Sequence, residues 1–95
     1  MITFATAQTT DGASSAFYHD GGQAVFQCSG TWEGTEMVAL EYSPDGGTTW
    51  FQTGVIVTAT TAAEGDSADL ETPCKLRANI VGAGATTSLT PTLVG

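Results

Sequence analysis

Residues 37–53 constrain the fold of this chain most strongly, because they combine two β-prone segments with the residues of a tight turn. Met37–Tyr42 is apolar apart from Glu41, and Thr48–Thr53 is again rich in threonine and aromatic residues. The segment Ser-Pro-Asp-Gly-Gly lies between them. Proline fixes its φ angle, aspartate bonds the backbone that follows it, and glycine accepts positive φ angles. This pattern predicts a β-hairpin, which favours an all-β fold.

Further β-prone segments, separated by turn residues, continue along the chain at 2–8, 16–19, 23–29, 54–60, 74–81 and 86–94. Two of these segments alternate strictly, which predicts inward-facing side chains at Ala24, Phe26, Cys28, Cys74, Leu76, Ala78 and Ile80. We therefore expect one domain over residues 1–95, an all-β sandwich or small barrel of roughly seven or eight short antiparallel strands. Immunoglobulin-like and jelly-roll-like arrangements are both open at this point.

Two segments depart from the strand pattern. Residues 61–73 carry Glu64, Asp66, Asp69 and Glu71 without clear alternation, which predicts an acidic loop. Hard cations bind several oxygens, so this loop raises the question of a cation site, although its spacing does not match a calcium-binding loop. Pro91 lacks an N–H group, so the last strand is expected to lie at a sheet edge or to be interrupted there.

The charge of the chain excludes several classes of function. The chain has ten acidic residues and only two basic residues, Lys75 and Arg77, which gives a net charge of −8. Two cations cannot offset such a field at a phosphate backbone or an anionic bilayer, so we expect neither nucleic-acid nor membrane binding. No apolar stretch approaches the roughly 20 residues that span a bilayer. Met1–Gln8 also lacks the basic and apolar regions of a signal peptide.

Few residues of the chain are suited to catalysis or metal binding. His19 is the only histidine, and no nucleophile or acid–base partner can be assigned to it, so we expect no enzymatic activity. Cys28 and Cys74 fit no zinc-binding spacing, and we expect neither a metal nor a cofactor. As inward-facing residues of two strands, the cysteines are either buried free thiols or a bridge between the sheets.

The turn of the hairpin resembles the Asp-box of sialidase propellers, Ser-x-Asp-x-Gly-x-x-Trp, through Ser43, Asp45, Gly47 and Trp50. This resemblance implies a structural role, in which Ser43 and Asp45 hold the turn and Trp50 packs beneath it. A propeller needs several blades of four strands, so one copy of the motif in 95 residues excludes that fold.

A second resemblance covers nearly the whole chain. The hairpin, together with Gly-Thr-Trp-Glu-Gly at 30–34, Lys-Leu-Arg-Ala-Asn-Ile-Val-Gly at 75–82 and Thr-Thr-Ser-Leu at 86–89, is similar to small virion proteins of tailed bacteriophages. The resemblance implies a structural virion protein, assembled in the host cytoplasm, that binds the major capsid protein as a decoration or cement protein. It also implies a homo-oligomer, with a trimer favoured.

Three aromatic residues are candidates for contact with a partner: Phe17, Tyr18 and Trp32. Phe17 and Tyr18 are adjacent, so in a strand they point to opposite faces. Tryptophan is enriched both in cores and at binding hot spots, so both positions are open for Trp32. An alternative function is that of a carbohydrate-binding module on a head or tail fibre, with Tyr18, Trp32 or Trp50 as the stacking platform.

Overall fold

The protein is a two-layer β-sandwich in the computed structural model, which describes residues 1–62 and 64–95. All strand pairs are antiparallel. The strands are β1 Ile2–Thr3, β2 Gly12–Ala13, β3 Phe17–His19, β4 Gly22–Thr31, β5 Met37–Ser43, β6 Phe51–Thr58, β7 Asp66–Leu70, β8 Cys74–Val81 and β9 Ser88–Val94. The predicted all-β sandwich class is thereby confirmed. The strand count exceeds the predicted one because several short pieces pair separately.

The order of strands within the sheets is that of a jelly roll. The first sheet has the order β1-β9-β4-β7, and the second has the order β2-β8-β5-β6, with β3 also paired to β8. If β2 and β3 count as one interrupted edge strand, each sheet has four strands, as in the eight-stranded jelly roll. In an immunoglobulin domain the last two strands are neighbours in one sheet, whereas β8 and β9 lie in different sheets. Of the two arrangements left open by the sequence, the structure therefore adopts the jelly roll.

Alternate residues of the long strands build the core between the sheets. The inward positions predicted on β4 and β8 are all buried: Ala24, Phe26, Cys28, Cys74, Leu76, Ala78 and Ile80. Leu40 and Val57 from the second sheet and Leu89 and Leu93 from the first are fully buried with them. Phe4 closes one side through an edge-to-face contact with Phe26, with ring centroids 5.9 Å apart.

Residues 66–70 form a strand, so the prediction of an acidic loop over 61–73 is wrong for this part of the segment. β7 pairs with β4 over the register from Gly22 opposite Leu70 to Phe26 opposite Asp66. Ala68 and Leu70 are buried, while Ser67 and Asp69 are exposed. The alternation is weak in the sequence because the inward residues are few and one of them is only alanine. Carboxylates on a strand are typical of a sheet edge, which is the position of β7.

β6 joins two segments that the sequence predicts as separate strands, 48–53 and 54–60. Its register with β5 shifts near Leu40, since Ala39 lies opposite Ile56 but Glu41 lies opposite Gln52. In the shifted region, the hydroxyl of Thr53 donates to the carbonyl oxygen of Leu40 at 2.9 Å. This side-chain bond links the two strands where their register is irregular.

β9 lies between β1 and β4, so the prediction that Pro91 marks an edge strand is wrong. Alternate residues of an antiparallel strand bond to alternate neighbours. Leu89 exchanges backbone bonds with Gln8, and the carbonyl oxygen of Pro91 accepts from Phe4 N–H at 2.9 Å. The missing N–H of Pro91 therefore faces the N-terminal segment just where β1 has ended, and the ladder to β4 stays intact.

Gly30→Ala is expected to destabilise the protein strongly. Gly30 has a φ angle of +129°, and a Cβ atom there would collide with the carbonyl oxygen of Ser88 on β9. Gly34 also has a positive φ angle, +108°, but a Cβ atom there would meet nothing within 4 Å. Gly30→Ala should lower the free energy of unfolding by about 3 kcal/mol or more, against about 1 kcal/mol for Gly34→Ala. Urea denaturation compares the two variants, and equal losses would contradict the collision at Ser88.

Candidate protein-binding face

Side-chain hydrogen bonds hold the turn that follows β5. Ser43 Oγ donates to Asp45 Oδ1 at 2.6 Å and accepts from Gly47 N–H at 2.8 Å. Asp45 Oδ1 also accepts from the N–H groups of Thr48 and Thr49, at 3.2 and 2.9 Å. The Ser43 hydroxyl, helped by these backbone donors, holds the pKa of the Asp45 carboxyl well below its usual range. These contacts fix the loop that carries Trp50.

Trp50 lies on the outer surface of the second sheet rather than among the buried core residues. Its indole Nε1–H donates to the carbonyl oxygen of Gly47 at 3.1 Å. The guanidinium carbon of Arg77 lies 4.3 Å from the centroid of the indole ring, which is a cation–π contact. The side chain is half-buried between the turn and this guanidinium. Trp50 thus connects the turn to the cationic residues of β8.

Arg77 lies at the centre of this surface. Its Nε donates to Glu41 Oε1 at 2.7 Å, and Asn79 Nδ2 donates to Glu41 Oε2 at 3.3 Å. The strand register brings these groups together, because Glu41 lies opposite Arg77. Lys75 is two residues before Arg77 on β8, so it points to the same side of the sheet. The two cationic residues of the chain therefore share one face.

The outward side chains of β8 and its neighbours form a mixed apolar and cationic surface, which we name the β5–β8 face. Its members are Tyr18, Met37, Trp50, Lys75, Arg77 and Val81. Tyr18 lies opposite Lys75 and Met37 lies opposite Val81. The exposed fractions of Tyr18, Met37 and Val81 are 63, 47 and 52 %. Tyrosine, tryptophan, methionine and arginine are enriched at protein–protein interfaces.

The sign of the charge separates the β5–β8 face from the rest of the molecule. Within the face, Lys75 and Arg77 outnumber the Glu41 carboxylate, whereas the whole chain has a net charge of −8. Asp45 lies beside the face in the turn before Trp50, where its Oδ1 accepts hydrogen bonds within the turn. Further carboxylates lie on other elements, such as Asp66 and Asp69 on β7 and Glu33 in the loop after β4. A partner surface with apolar groups and some negative charge would therefore fit this face better than any other part described here.

Two of the three aromatic residues predicted to contact a partner are attached to the core. The ring of Phe17 makes an edge-to-face contact with Phe4, with centroids 5.8 Å apart. Trp32 is half-buried and packs against the core just beyond the end of β4. Tyr18, the neighbour of Phe17 on β3, is exposed and belongs to the β5–β8 face.

Two carboxylates that the sequence analysis did not single out join the loops at one end of the sandwich. Glu36 is buried and accepts hydrogen bonds from the N–H groups of Glu33 and Gly34, both at 2.8 Å, and from the Thr87 hydroxyl at 2.6 Å. Glu33 Oε1 accepts from the N–H group and the hydroxyl of Thr86, both at 2.7 Å. The β4–β5 loop is thereby tied to the β8–β9 loop, which flanks the Met37 end of the β5–β8 face.

Cys28 and Cys74 are both buried free thiols. Cys28 lies opposite Pro91 in the first sheet, and the charge of Glu36 contributes to raising its pKa. Cys74 lies opposite His19 in the second sheet. Burial raises the pKa of the Cys28 thiol to about 12 and also raises the pKa of Cys74. Protonated thiols are poor nucleophiles and poor metal ligands, so these two residues act as small core side chains.

Within residues 1–62 and 64–95, no three or more His, Cys, Asp or Glu side chains come close enough to hold a metal ion. His19 is buried: its Nδ1 accepts from Gly21 N–H at 3.0 Å, so Nε2 carries the proton and donates to the carbonyl oxygen of Gly95 at 2.9 Å. The bond to Gly95 joins the end of β3 to the chain that follows β9. The described residues also contain no helix that is long and apolar enough to cross a membrane.

Glu36→Gln is expected to remove stability at neutral pH. Hydrogen bonds from the Glu33 backbone and the Thr87 hydroxyl lower the pKa of Glu36 from 4.5 to about 2. A carboxyl whose pKa is lowered by folding stabilises the folded state above its unfolded pKa, and this contribution is lost as the pH falls from about 4.5 to about 2. We expect Glu36→Gln to lower the melting temperature by about 5 °C or more at pH 7, with a smaller deficit near pH 2.

The exposed Glu71 provides a matched control for this substitution. Glu71→Gln should leave the melting temperature at pH 7 within about 1 °C of the unsubstituted protein, because surface changes away from specific contacts have small effects. Calorimetry across the pH range measures all three proteins. A Glu36→Gln deficit that stays constant down to pH 2 would contradict the role of the ionised carboxylate.

Comparisons of the chain with protein-family models, with curated proteins and with solved structures found no match.

Proposed function

We propose that this protein is a structural subunit of a tailed-bacteriophage virion that binds the outer surface of the capsid and stabilises the shell. The observation that carries the proposal is the β5–β8 face, on which the exposed Tyr18, Met37 and Val81 surround the half-buried Trp50 and Arg77 on an otherwise acidic molecule. The sequence resemblance to small virion proteins supports the same function. The major capsid protein is the proposed partner, and assembly in the host cytoplasm is proposed with it.

The chemistry of the face suits a rigid docking surface. Arg77 is held by Glu41 on one side and by the indole of Trp50 on the other, so it loses little conformational freedom on binding. Tyr18, Met37 and Val81 surround this centre and would exclude water from it in a complex. Lys75 adds a charge that favours partners with carboxylates at the rim of the contact.

The acidic remainder of the molecule favours the exterior of a capsid over its interior. Packaged DNA is a dense negative charge that would repel a chain of net charge −8. A subunit that binds the assembled shell, and not free coat protein, stabilises the shell by mass action. No catalytic step is part of this function, and we propose a structural role rather than an enzymatic one.

The proposal predicts that charge reversal and aromatic truncation on the β5–β8 face weaken binding to the shell. Tyr18 is exposed and Lys75 is half-buried, and Tyr18→Ala and Lys75→Glu remove no core contact. Each should raise the dissociation constant by about 10-fold or more, measured by co-sedimentation with capsids from which this protein has been stripped. The same capsids should regain resistance to heat when the unsubstituted protein is added back.

Thr10→Glu is the matched control, since it adds a negative charge at an exposed loop position before β2 that belongs neither to the β5–β8 face nor to the outer surface of the first sheet. It should leave shell binding unchanged. Retained binding by both face variants, or a loss caused by Thr10→Glu alone, would overturn the assignment of the face. A copy number of hundreds per virion by quantitative mass spectrometry supports a capsid decoration protein, whereas a handful of copies would place the protein in the tail or a fibre.

Self-association is a second part of the proposal, and the outer surface of the first sheet is the surface best suited to it. The outward residues of β4 and β9 there are uncharged: Val25, Gln27, Ser29, Ser88, Thr90, Thr92 and Val94. Val25 lies opposite Val94, and both are partly exposed. Copies that each carry a charge of −8 repel one another, and an uncharged surface is where that repulsion is smallest.

Sedimentation velocity tests this association over a range of protein and salt concentrations. The oligomer, a trimer by the resemblance, should form more readily as salt screens the like charges. Val25→Asp should shift the assembly towards monomer, while Val81→Asp on the β5–β8 face should not. A monomer at every concentration and salt level, or dissociation on adding salt, would contradict the proposed surface.

The alternative function, a carbohydrate-binding fibre module that stacks sugars on Tyr18, Trp32 or Trp50, finds less support in the arrangement of these residues. Trp32 packs against the core, and one face of the Trp50 ring is covered by Arg77. Tyr18 alone is widely exposed, and one isolated ring is a small platform. The virion-shell function is therefore preferred over this version of the alternative.

A further inference from the structure

A cleft lies along one side of the sandwich, where β6 at the edge of the second sheet faces β7 at the edge of the first. Its volume is about 330 Å³, which is at the lower end of the range for small-molecule sites. Neither β6 nor β7 has a further strand on this side within the described residues, so the cleft is open along its length. This region is separate from the β5–β8 face, which covers the outside of the second sheet.

The floor and one wall of the cleft are apolar. Leu70 and Cys74 are buried at its base, and the ring of Tyr42 forms a wall. The ring of Phe51 packs against Tyr42, with centroids 5.7 Å apart and an angle of 36° between the rings. Phe51, the first residue of β6, is a large apolar side chain that is 48 % exposed. An exposed aromatic face therefore stands beside a cleft of the size of a small ligand.

Polar residues line the rest of the cleft. Gln52, Asp69, Glu71 and Thr72 line the cleft and are exposed at its rim. The hydroxyl of Thr72 approaches the Pro73 carbonyl oxygen only at 3.5 Å. Within the described residues, the carboxylates of Asp69 and Glu71 make no side-chain bond to other residues that line the cleft. Carboxylate groups that are not used internally are available to hydroxyl donors of a ligand.

We propose that the cleft between β6 and β7 binds neutral oligosaccharides. The C–H face of a sugar ring is apolar and suits the Phe51–Tyr42 pair, while its hydroxyl groups suit the carboxylates of Asp69 and Glu71. Asp69 and Glu71, in a molecule of net charge −8, repel acidic sugars. The ligand is therefore an uncharged saccharide of two or three units, and the site extends beyond the proposed shell-binding function.

Titration followed by protein amide NMR tests the site with three neutral trisaccharides, maltotriose, cellotriose and tri-N-acetylchitotriose, and with the acidic 3′-sialyllactose. At least one neutral sugar should bind with a dissociation constant of about 1 mM, as is typical of an open cleft, and should shift the amides of residues 51–53 and 69–72. The acidic sugar should not bind. Phe51→Ala should weaken binding by about 10-fold or more.

Val81→Ala is the control, because it truncates an equally exposed apolar residue on the β5–β8 face. It should leave sugar binding unchanged, and urea denaturation of Phe51→Ala verifies that the variant is folded. No saturable shift from any neutral trisaccharide, binding of the acidic sugar alone, or full affinity in folded Phe51→Ala would each overturn the site. Shell binding is measured separately with Tyr18→Ala and Lys75→Glu, so either proposal can fail while the other stands.

Discussion

Strand β8 is the element on which the rest of the molecule depends, because its alternate residues point into the core and onto the β5–β8 face. Cys74, Leu76, Ala78 and Ile80 fill the centre of the core, while Lys75 and Arg77 point outward. The same strand pairs with β5 on one side and with both β2 and β3 on the other. A shift of one residue in its register would bury both cations and expose the core residues, so the fold and the β5–β8 face are set together.

The strongly alternating parts of the chain could be predicted from the sequence, whereas the exceptions depend on contacts between distant residues. The inward positions of β4 and β8 follow from polarity alone. Pro91 could not be placed correctly, since its position in a central strand depends on β1 ending at Thr3, some ninety positions away in the chain. β7 was missed because Ala68 is a weak signal among carboxylates.

The candidate surfaces also depend on contacts between distant residues that the sequence alone does not indicate. The hairpin motif at Ser43, Asp45, Gly47 and Trp50 was visible from residue spacing, but the partner of Trp50 was not, because Arg77 follows it by 27 positions and reaches it only through the strand register. The role of Glu33 and Glu36 was not predicted from the sequence, because it depends on Thr86 and Thr87 in another loop. The cleft beside Phe51 exists only once β6 and β7 lie at the edges of two different sheets.

The carboxylates of β7 have a consequence for how copies of this chain behave at high local concentration. Asp66 and Asp69 lie on an edge strand whose outer backbone groups are open to another strand. A second copy that tried to extend the sheet there would bring its own acidic edge alongside, and the repulsion would act at strand spacing, about 5 Å. Neighbouring copies at high local density would therefore not join their sheets. Their contacts would be confined to side-chain surfaces, where contacts can form and dissociate reversibly.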